Sequence, residues 1–305
     1  MVKQRTLKNV IKAVGVTVHS GERAEVTFCP APPNTGIVFE RVDLEQPVEI
    51  PANHEFINNT VLNTTLIKDG VKISTVEHLM SALAGLGIDN VRVQVNTSEL
   101  PIMDGSAGPF VFLLQSAGIV EQNVAKKFIR IKKPIVFRDD NKFIKLKPHN
   151  GFKISFRLEY DHPVFQNSPQ IAEIDFSKTS YIKEVSRART FGFLADYEKI
   201  RLMGLSKGAS LDNTLVIGDY RVLNQDGLRY EDEFVRHKIL DAIGDLYLCG
   251  SPIIGSLECC KSGHAMNNQL VQKLINTTGA WEYVTYEEKE SAPVSFLHPV
   301  LTPAS

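Results

Sequence analysis

Cysteine is scarce in this chain of 305 residues, which has only Cys29, Cys249, Cys259 and Cys260. No two are spaced as a CxxC pair, so a structural zinc ribbon is not expected. Cys259 and Cys260 are sequence neighbours that cannot easily bridge each other, and the start Met1-Val2-Lys3-Gln4-Arg5 has no secretory character. The cysteines therefore read as reduced thiols of a cytoplasmic protein. Long apolar runs are missing as well. None approaches the ~20 residues of a membrane-spanning helix, so any membrane contact is expected to be peripheral. Neither sign of charge is in excess: 34 Lys and Arg stand against 35 Asp and Glu. A nucleic-acid partner, which needs a basic surplus, is not expected. The lysines within 129–133 and 142–147 read as solvated faces of strands.

What is present suffices for a core. Hydrophobic residues make up 43% of the chain, too many for a disordered one. The length suggests two domains. Residues 24–28 and 36–42 follow turns and read as strands. Val76, Leu79, Met80, Leu83 and Leu86 then switch to helical spacing, ending at Gly85 and Gly87. Val91, Val93 and Val95 share one strand face, and 107–117 reads as a helix stopped by Gly118. From about Gln122 the order repeats: strands at 128–131, 143–146 and 153–158, a helix at 236–248, a strand at 253–258, a helix at 263–275 and a closing strand at 281–286. Both halves thus run strands, helix, strand, helix, an α+β pattern in two similar domains. The stretch 191–218 interrupts it, either as an insertion that builds a pocket wall or as an ordinary helix and loop.

His237 and Asp241 lie four apart on the predicted helix, so both project from nearly one stripe, with Asp245 a turn further on. Both residue types ligate zinc, but a catalytic zinc takes three protein ligands and leaves room for water. As a mere surface pair the two would contribute only ~0.2–0.5 kcal/mol. Yet Ile239, Leu240, Ile243, Leu246 and Leu248 make this helix apolar, and a polar stripe there needs partners or a metal. Glu77-His78, opening the first helix, is the natural source of the third ligand. Ser74 and Glu77 could instead form a capping box, which would explain the glutamate but not His78. An adjacent pair lets the histidine hold a metal while the carboxylate serves its water, the logic of HExxH. His264 opens the last helix, as a solvated residue or as a general acid kept charged by a carboxylate such as Asp245. His54, His149, His162 and His298 lie in turns or beside prolines and read as solvated. His19, before Ser20-Gly21, is the exception that a turn can bring toward a cleft.

These segments together resemble the UDP-3-O-acyl-N-acetylglucosamine deacetylase family, zinc amidases of lipid A synthesis. The resemblance is carried by Val14-Gly15-Val16-Thr17-Val18-His19-Ser20-Gly21, Asn63-Thr64-Thr65-Leu66, Ser74-Thr75-Val76-Glu77-His78-Leu79 and Pro101-Ile102-Met103-Asp104-Gly105-Ser106. In the second half it is carried by Ser186-Arg187-Ala188-Arg189-Thr190-Phe191-Gly192-Phe193, Asp232-Glu233-Phe234-Val235-Arg236-His237-Lys238, Leu240-Asp241-Ala242-Ile243-Gly244-Asp245-Leu246 and Lys261-Ser262-Gly263-His264. Each is modest alone; together, in the family's order, they are highly specific.

The resemblance implies two two-layer α/β sandwich domains, 1–124 with Glu77 and His78, and 125–305 with His237, Asp241 and His264, the active site lying between them. It implies His78, His237 and Asp241 as zinc ligands, with iron(II) competing for the same donors, and no organic cofactor. It implies Glu77 as general base, His264 as proton donor with Asp245 beside it, Thr190 as a hydroxyl for the carbonyl oxygen, and Lys238 as a cation near the reacting centre. Phe191 and Phe193 would line an acyl-chain passage built by 191–218. Tyr160, Lys142 and Lys261 would contact the uridine of an acylated UDP-glucosamine substrate, and His19 would bind substrate as well. The chain departs from many members in having Asn63 where they carry a cysteine, so properties of that thiol are not carried over. The resemblance also implies a monomer, and, the chain ending at Ser305, no dehydratase fusion is expected. A zinc deacetylase of another acylated sugar and a metal-binding regulator without turnover are the rival readings.

Overall fold

The computed structural model describes residues 1–294, so His298 lies outside the described residues. Its helices are α1 (Glu77–Leu86), α2 (Gly108–Ala117), α3 (Pro163–Gln166), α4 (Tyr181–Glu184), α5 (Tyr197–Leu202), α6 (Glu233–Tyr247) and α7 (His264–Asn276). Strand alternation sets the sheets. In Arg23–Pro30, Ala24, Val26 and the ring of Phe28 turn inward while Arg23 and Glu25 face water. This strand sits between Ile11–Val16 and Val91–Val95, and Ile37–Arg41 with Val48–Pro51 completes a five-stranded sheet. Ile37–Arg41 and Val91–Val95 are parallel. Parallel neighbours need a crossover, and α1 lies in it.

The second half repeats the device. Phe152–Arg157 runs parallel to Ile253–Cys260, with α6 in the connection. A further helix follows each crossover strand: α2 after Val91–Val95 and α7 after Ile253–Cys260. Ile253–Cys260 is the hub of a seven-stranded sheet, pairing with Lys142–Lys147, Phe152–Arg157 and Phe128–Ile131. The lysine-rich strands behave as expected. Ile144 and Leu146 are buried while Lys145 and Lys147 turn outward to Glu258. Ile129 and Ile131 are buried and Arg130 is exposed.

The two halves share one apolar core, in which Phe39 and Leu83 belong to the same cluster as Ile154 and Leu240. α1 and α6 are buried on almost every face, as expected of helices sandwiched between layers. Their approach is close enough to demand glycine. A Cβ on Gly244 would stand 2.0 Å from the carbonyl oxygen of Glu77. α1 ends at Gly87, whose φ of 63° lets its N–H reach back to Leu83 and Ala84.

Several expectations are corrected. α1 has no capping box: Val76 occupies the cap, the Ser74 hydroxyl donates to the Ser98 carbonyl, and Glu77 points elsewhere. His54, His149 and His162 are half-buried rather than solvated. His162 caps α3, its Nδ1 accepting from the Val164 N–H at 3.3 Å. The stretch 191–218 is more than a helix and loop, because Phe191–Phe193 and Leu215–Ile217 pair in parallel around α5 as a small βαβ unit. All four cysteines are free thiols. No described helix is long and apolar enough to cross a membrane.

Candidate metal centre

The site forms where α1, α6 and α7 meet. The chain enters α1 through Thr75, a β-branched residue at a φ of 57°, a conformation that costs energy and must be held by its surroundings. Its hydroxyl accepts from Asn63 Nδ2 at 3.0 Å and donates to the Glu99 carboxylate at 3.3 Å. The buried Glu99 also accepts the N–H groups of His19 and Ser20, each at 2.8 Å. Asn63 is thus engaged in holding the turn that delivers Glu77 and His78.

His78, His237 and Asp241 come together from the two halves, each buried, with one donor atom apiece within 4.8 Å of the others. Asp241 Oδ1 lies 3.3 Å from His237 Nε2 and 3.6 Å from His78 Nε2. Ligands about 2.0–2.1 Å from a tetrahedral zinc stand roughly 3.3 Å apart. Asp241 Oδ1 is buried without a hydrogen-bond partner, although its neighbour Oδ2 accepts from Lys238 Nζ at 2.8 Å. An orphaned carboxylate oxygen facing two imidazole nitrogens is a donor set that fits a divalent cation. His237 Nδ1 donates to the Ala188 carbonyl at 3.1 Å, which turns the Nε2 lone pair toward the cluster. Burial lowers the His237 pKa to about 3, keeping the ring in its neutral, ligating form. Burial alone would raise Asp241, but the Lys238 ammonium beside it outweighs that and holds the carboxyl well below its ordinary range.

Beside this group stands an acid–base pair. Glu77 Oε2 accepts the backbone N–H of Thr64 at 3.0 Å, and Oε1 lies 3.9 Å from His264 Nε2. Burial raises the Glu77 pKa. His264 Nδ1 donates to Asp245 Oδ2 at 2.9 Å. Burial works against a charged His264, but Asp245 and Glu77 overcome it and raise its pKa to about 9. One carboxyl able to take a proton and one imidazolium able to give one therefore share the same space.

A cleft of about 440 Å³ contains Glu77, His78, His237, Asp241, His264, Thr190, Lys238, Phe191, Tyr160, Lys142 and Lys261 among its lining residues. Lys238 Nζ sits 5.5 Å from the centre of the Phe191 ring. Lys261, at a φ of 53°, pairs with Glu159 at 2.7 Å. Three expected site residues lie outside the lining. Asp245 is fully buried behind His264. Phe193 backs the wall, packing on Tyr160 and His162. His19 is held by Glu99, close enough to His264 for their charges to interact.

Thr64, Asn267 and Asn268 join the site although none is expected there from the sequence. The Thr64 hydroxyl donates to Asp245 Oδ1 at 2.5 Å, and Asn267 Nδ2 donates to Oδ2 at 2.9 Å. Both asparagines are buried. They follow His264 by three and four positions on one helix, which is a legible signal. Leu62 and Met266 also line the cleft, and nothing in their spacing announces it.

Residues 4–276 match the family model described as UDP-3-O-acyl N-acetylglycosamine deacetylase. The chain belongs to that family. Curated relatives carry the name UDP-3-O-acyl-N-acetylglucosamine deacetylase. The one from Saccharophagus degradans is 59% identical over 301 residues, 99% of each chain. That from Hahella chejuensis is 58% identical, covering 99% of this chain and 100% of its own. That from Coxiella burnetii strain CbuK_Q154 is 58% identical over 302 residues, with 99% and 100% covered. The family places a deacetylase, a metal-dependent hydrolase of an amide bond, on the two repeated α+β halves described above.

Proposed function

We propose that this chain hydrolyses the N-acetyl group of UDP-3-O-(3-hydroxyacyl)-N-acetylglucosamine, releasing acetate and the free amino-sugar in the committed step of lipid A synthesis. The observation that carries the reading is the orphaned Asp241 Oδ1 facing His78 and His237, beside the Glu77–His264 pair. His78, His237 and Asp241 hold the resident ion, taken as zinc from the two-nitrogen, one-oxygen donor set, with iron(II) the competitor. When bound, that ion supplies Lewis acidity, lowering the pKa of water toward ~7 and polarising the amide carbonyl.

The chain's own residues do the rest. Glu77, with Oε2 pinned by Thr64, takes the proton of the attacking water through its other oxygen. Thr190 meets the negative charge that develops on the carbonyl oxygen, and Lys238 is a substrate-binding cation near the reacting centre. His264, charged because of Asp245, stabilises that charge and then protonates the departing nitrogen. Phe191 offers the acyl chain an aromatic wall backed by Phe193, and Tyr160, whose ring packs against both, is left for the uridine end. Lys142 and Lys261 supply cations for the diphosphate end, and the turn of His19 borders the site. The two halves divide near residues 124 and 125. By resemblance to the family we take the protein to act as a monomer, and we place it in the cytoplasm.

The test is amine release from the acylated UDP-sugar and from unacylated UDP-N-acetylglucosamine. Turnover of the acylated substrate, abolished by chelation and restored by zinc, is the expected result. Equal turnover of both sugars would point to another deacetylase, and none of either to a binding protein.

A further inference from the structure

Thr64 is fully buried immediately before the strand Thr65–Lys68. It touches both halves of the acid–base apparatus. Its N–H donates to Glu77 Oε2 at 3.0 Å, and its hydroxyl donates to Asp245 Oδ1 at 2.5 Å across 181 positions of sequence. The same hydroxyl accepts from Asn268 Nδ2 at 3.3 Å and lies 3.4 Å from His264 Nδ1.

We propose that Thr64 is a positioning residue that fixes the general base and the carboxylate behind the general acid relative to one another. The inference rests on the roles given above to Glu77 and His264. Each carboxylate has one oxygen for the reaction and one for support. Glu77 keeps Oε1 toward His264 while Thr64 pins Oε2. Asp245 gives Oδ2 to His264 and Asn267 while Thr64 pins Oδ1. A short hydroxyl bond to a buried carboxylate is charge-assisted and strongly directional. Without it, Asp245 Oδ1 is left buried and unpaired, and only the bonds to Oδ2 still resist rotation of the carboxylate away from the line that aims His264 at the leaving nitrogen. Because the donor comes from the first half and the acceptor from the second, the contact also holds the two halves in register at the reacting centre.

Valine matches threonine in shape and keeps the backbone N–H, so Thr64→Val isolates the hydroxyl; Thr64→Ser restores it. The full-length, metal-loaded enzyme is assayed on the acylated UDP-sugar. Thr64→Val is expected to lower kcat by roughly 10–100-fold, with KM within about threefold and metal content unchanged. Thr64→Ser is expected within about threefold of the parent. If Thr64 acts through Asp245, adding Thr64→Val to Asp245→Asn causes no further loss. Parental turnover in Thr64→Val, equal impairment of Thr64→Ser, or multiplying losses in the double variant would each overturn the proposal. Parental turnover in Glu77→Ala or His264→Ala would instead overturn the catalytic reading beneath it, and this proposal with it.

Discussion

Replacing Gly244 by alanine adds one methyl group where α6 crosses the start of α1. The added carbon would lie 2.0 Å from the Glu77 carbonyl oxygen, whereas real contacts of this kind essentially never fall below 3.0 Å. The helices must therefore separate by about 1 Å, and no rotamer change helps, because both atoms are fixed to backbone. Alanine gains about 1 kcal/mol over glycine in a helix interior. Overpacking costs about 1–3 kcal/mol, occasionally more, and a backbone clash belongs at the upper end. The net expectation is a loss of about 2 kcal/mol. At roughly 2–4 °C per kcal/mol for a chain of this class, Tm falls by about 4–8 °C. Activity suffers more than stability. Gly244 lies between Asp241 and Asp245, so the displacement pulls two of the three metal-group residues, His237 and Asp241, and the partner of His264 away from Glu77 and His78. A misplacement of ~1 Å is worth about a hundredfold in rate. The assay is differential scanning fluorimetry together with kcat and metal content. A Gly244→Ala protein with parental Tm and turnover would refute the claim that this helix contact sets the site.

Three further outcomes follow from the division of labour. Glu77→Ala is expected to lose most of kcat while retaining one metal equivalent by elemental analysis; near-parental turnover would place the base elsewhere. His78→Ala is expected to lose the metal itself, which the same analysis reads directly. His264 has a folded pKa of about 9, above the ordinary 6.5, so its charged form is the one the fold favours. Turnover that needs this charge falls as pH rises through about 9, or lower once a bound cation adds positive charge nearby. The associated stability is fully present below pH 6.5 and is lost over the same rise. His264→Ala is expected to remove the basic limb of the pH–rate profile, and an unchanged profile would deny its role.

The parts of the site legible in sequence are those whose partners lie within a few positions. His237, Asp241 and Asp245 share a stripe because helical spacing dictates it, and α6 carries them as expected. Glu77 was ambiguous on local pattern alone. Ser74 and Glu77 have capping-box spacing, yet the helix starts later and Thr64 claims the carboxylate. The repeated strand–helix–strand–helix order was legible because each crossover helix has its own periodicity. Long-range contacts left no local trace. Thr64 meets Asp245 across most of the chain, and Gly244 is a necessary glycine only because α1 passes beside it. His162 looked solvated beside Pro163, but the proline opens α3 and the histidine caps it. Phe193 looked like passage lining, but in its strand it faces the aromatic cluster behind Tyr160.

Donors from both halves are expected to close around one cation, and anomalous diffraction at the zinc edge on crystals of the metal-loaded protein observes this directly. One peak is predicted at about 2.0–2.2 Å from His78 Nε2, His237 Nε2 and Asp241 Oδ1. A peak held by residues of one half alone, or one lying away from these three atoms, would contradict it.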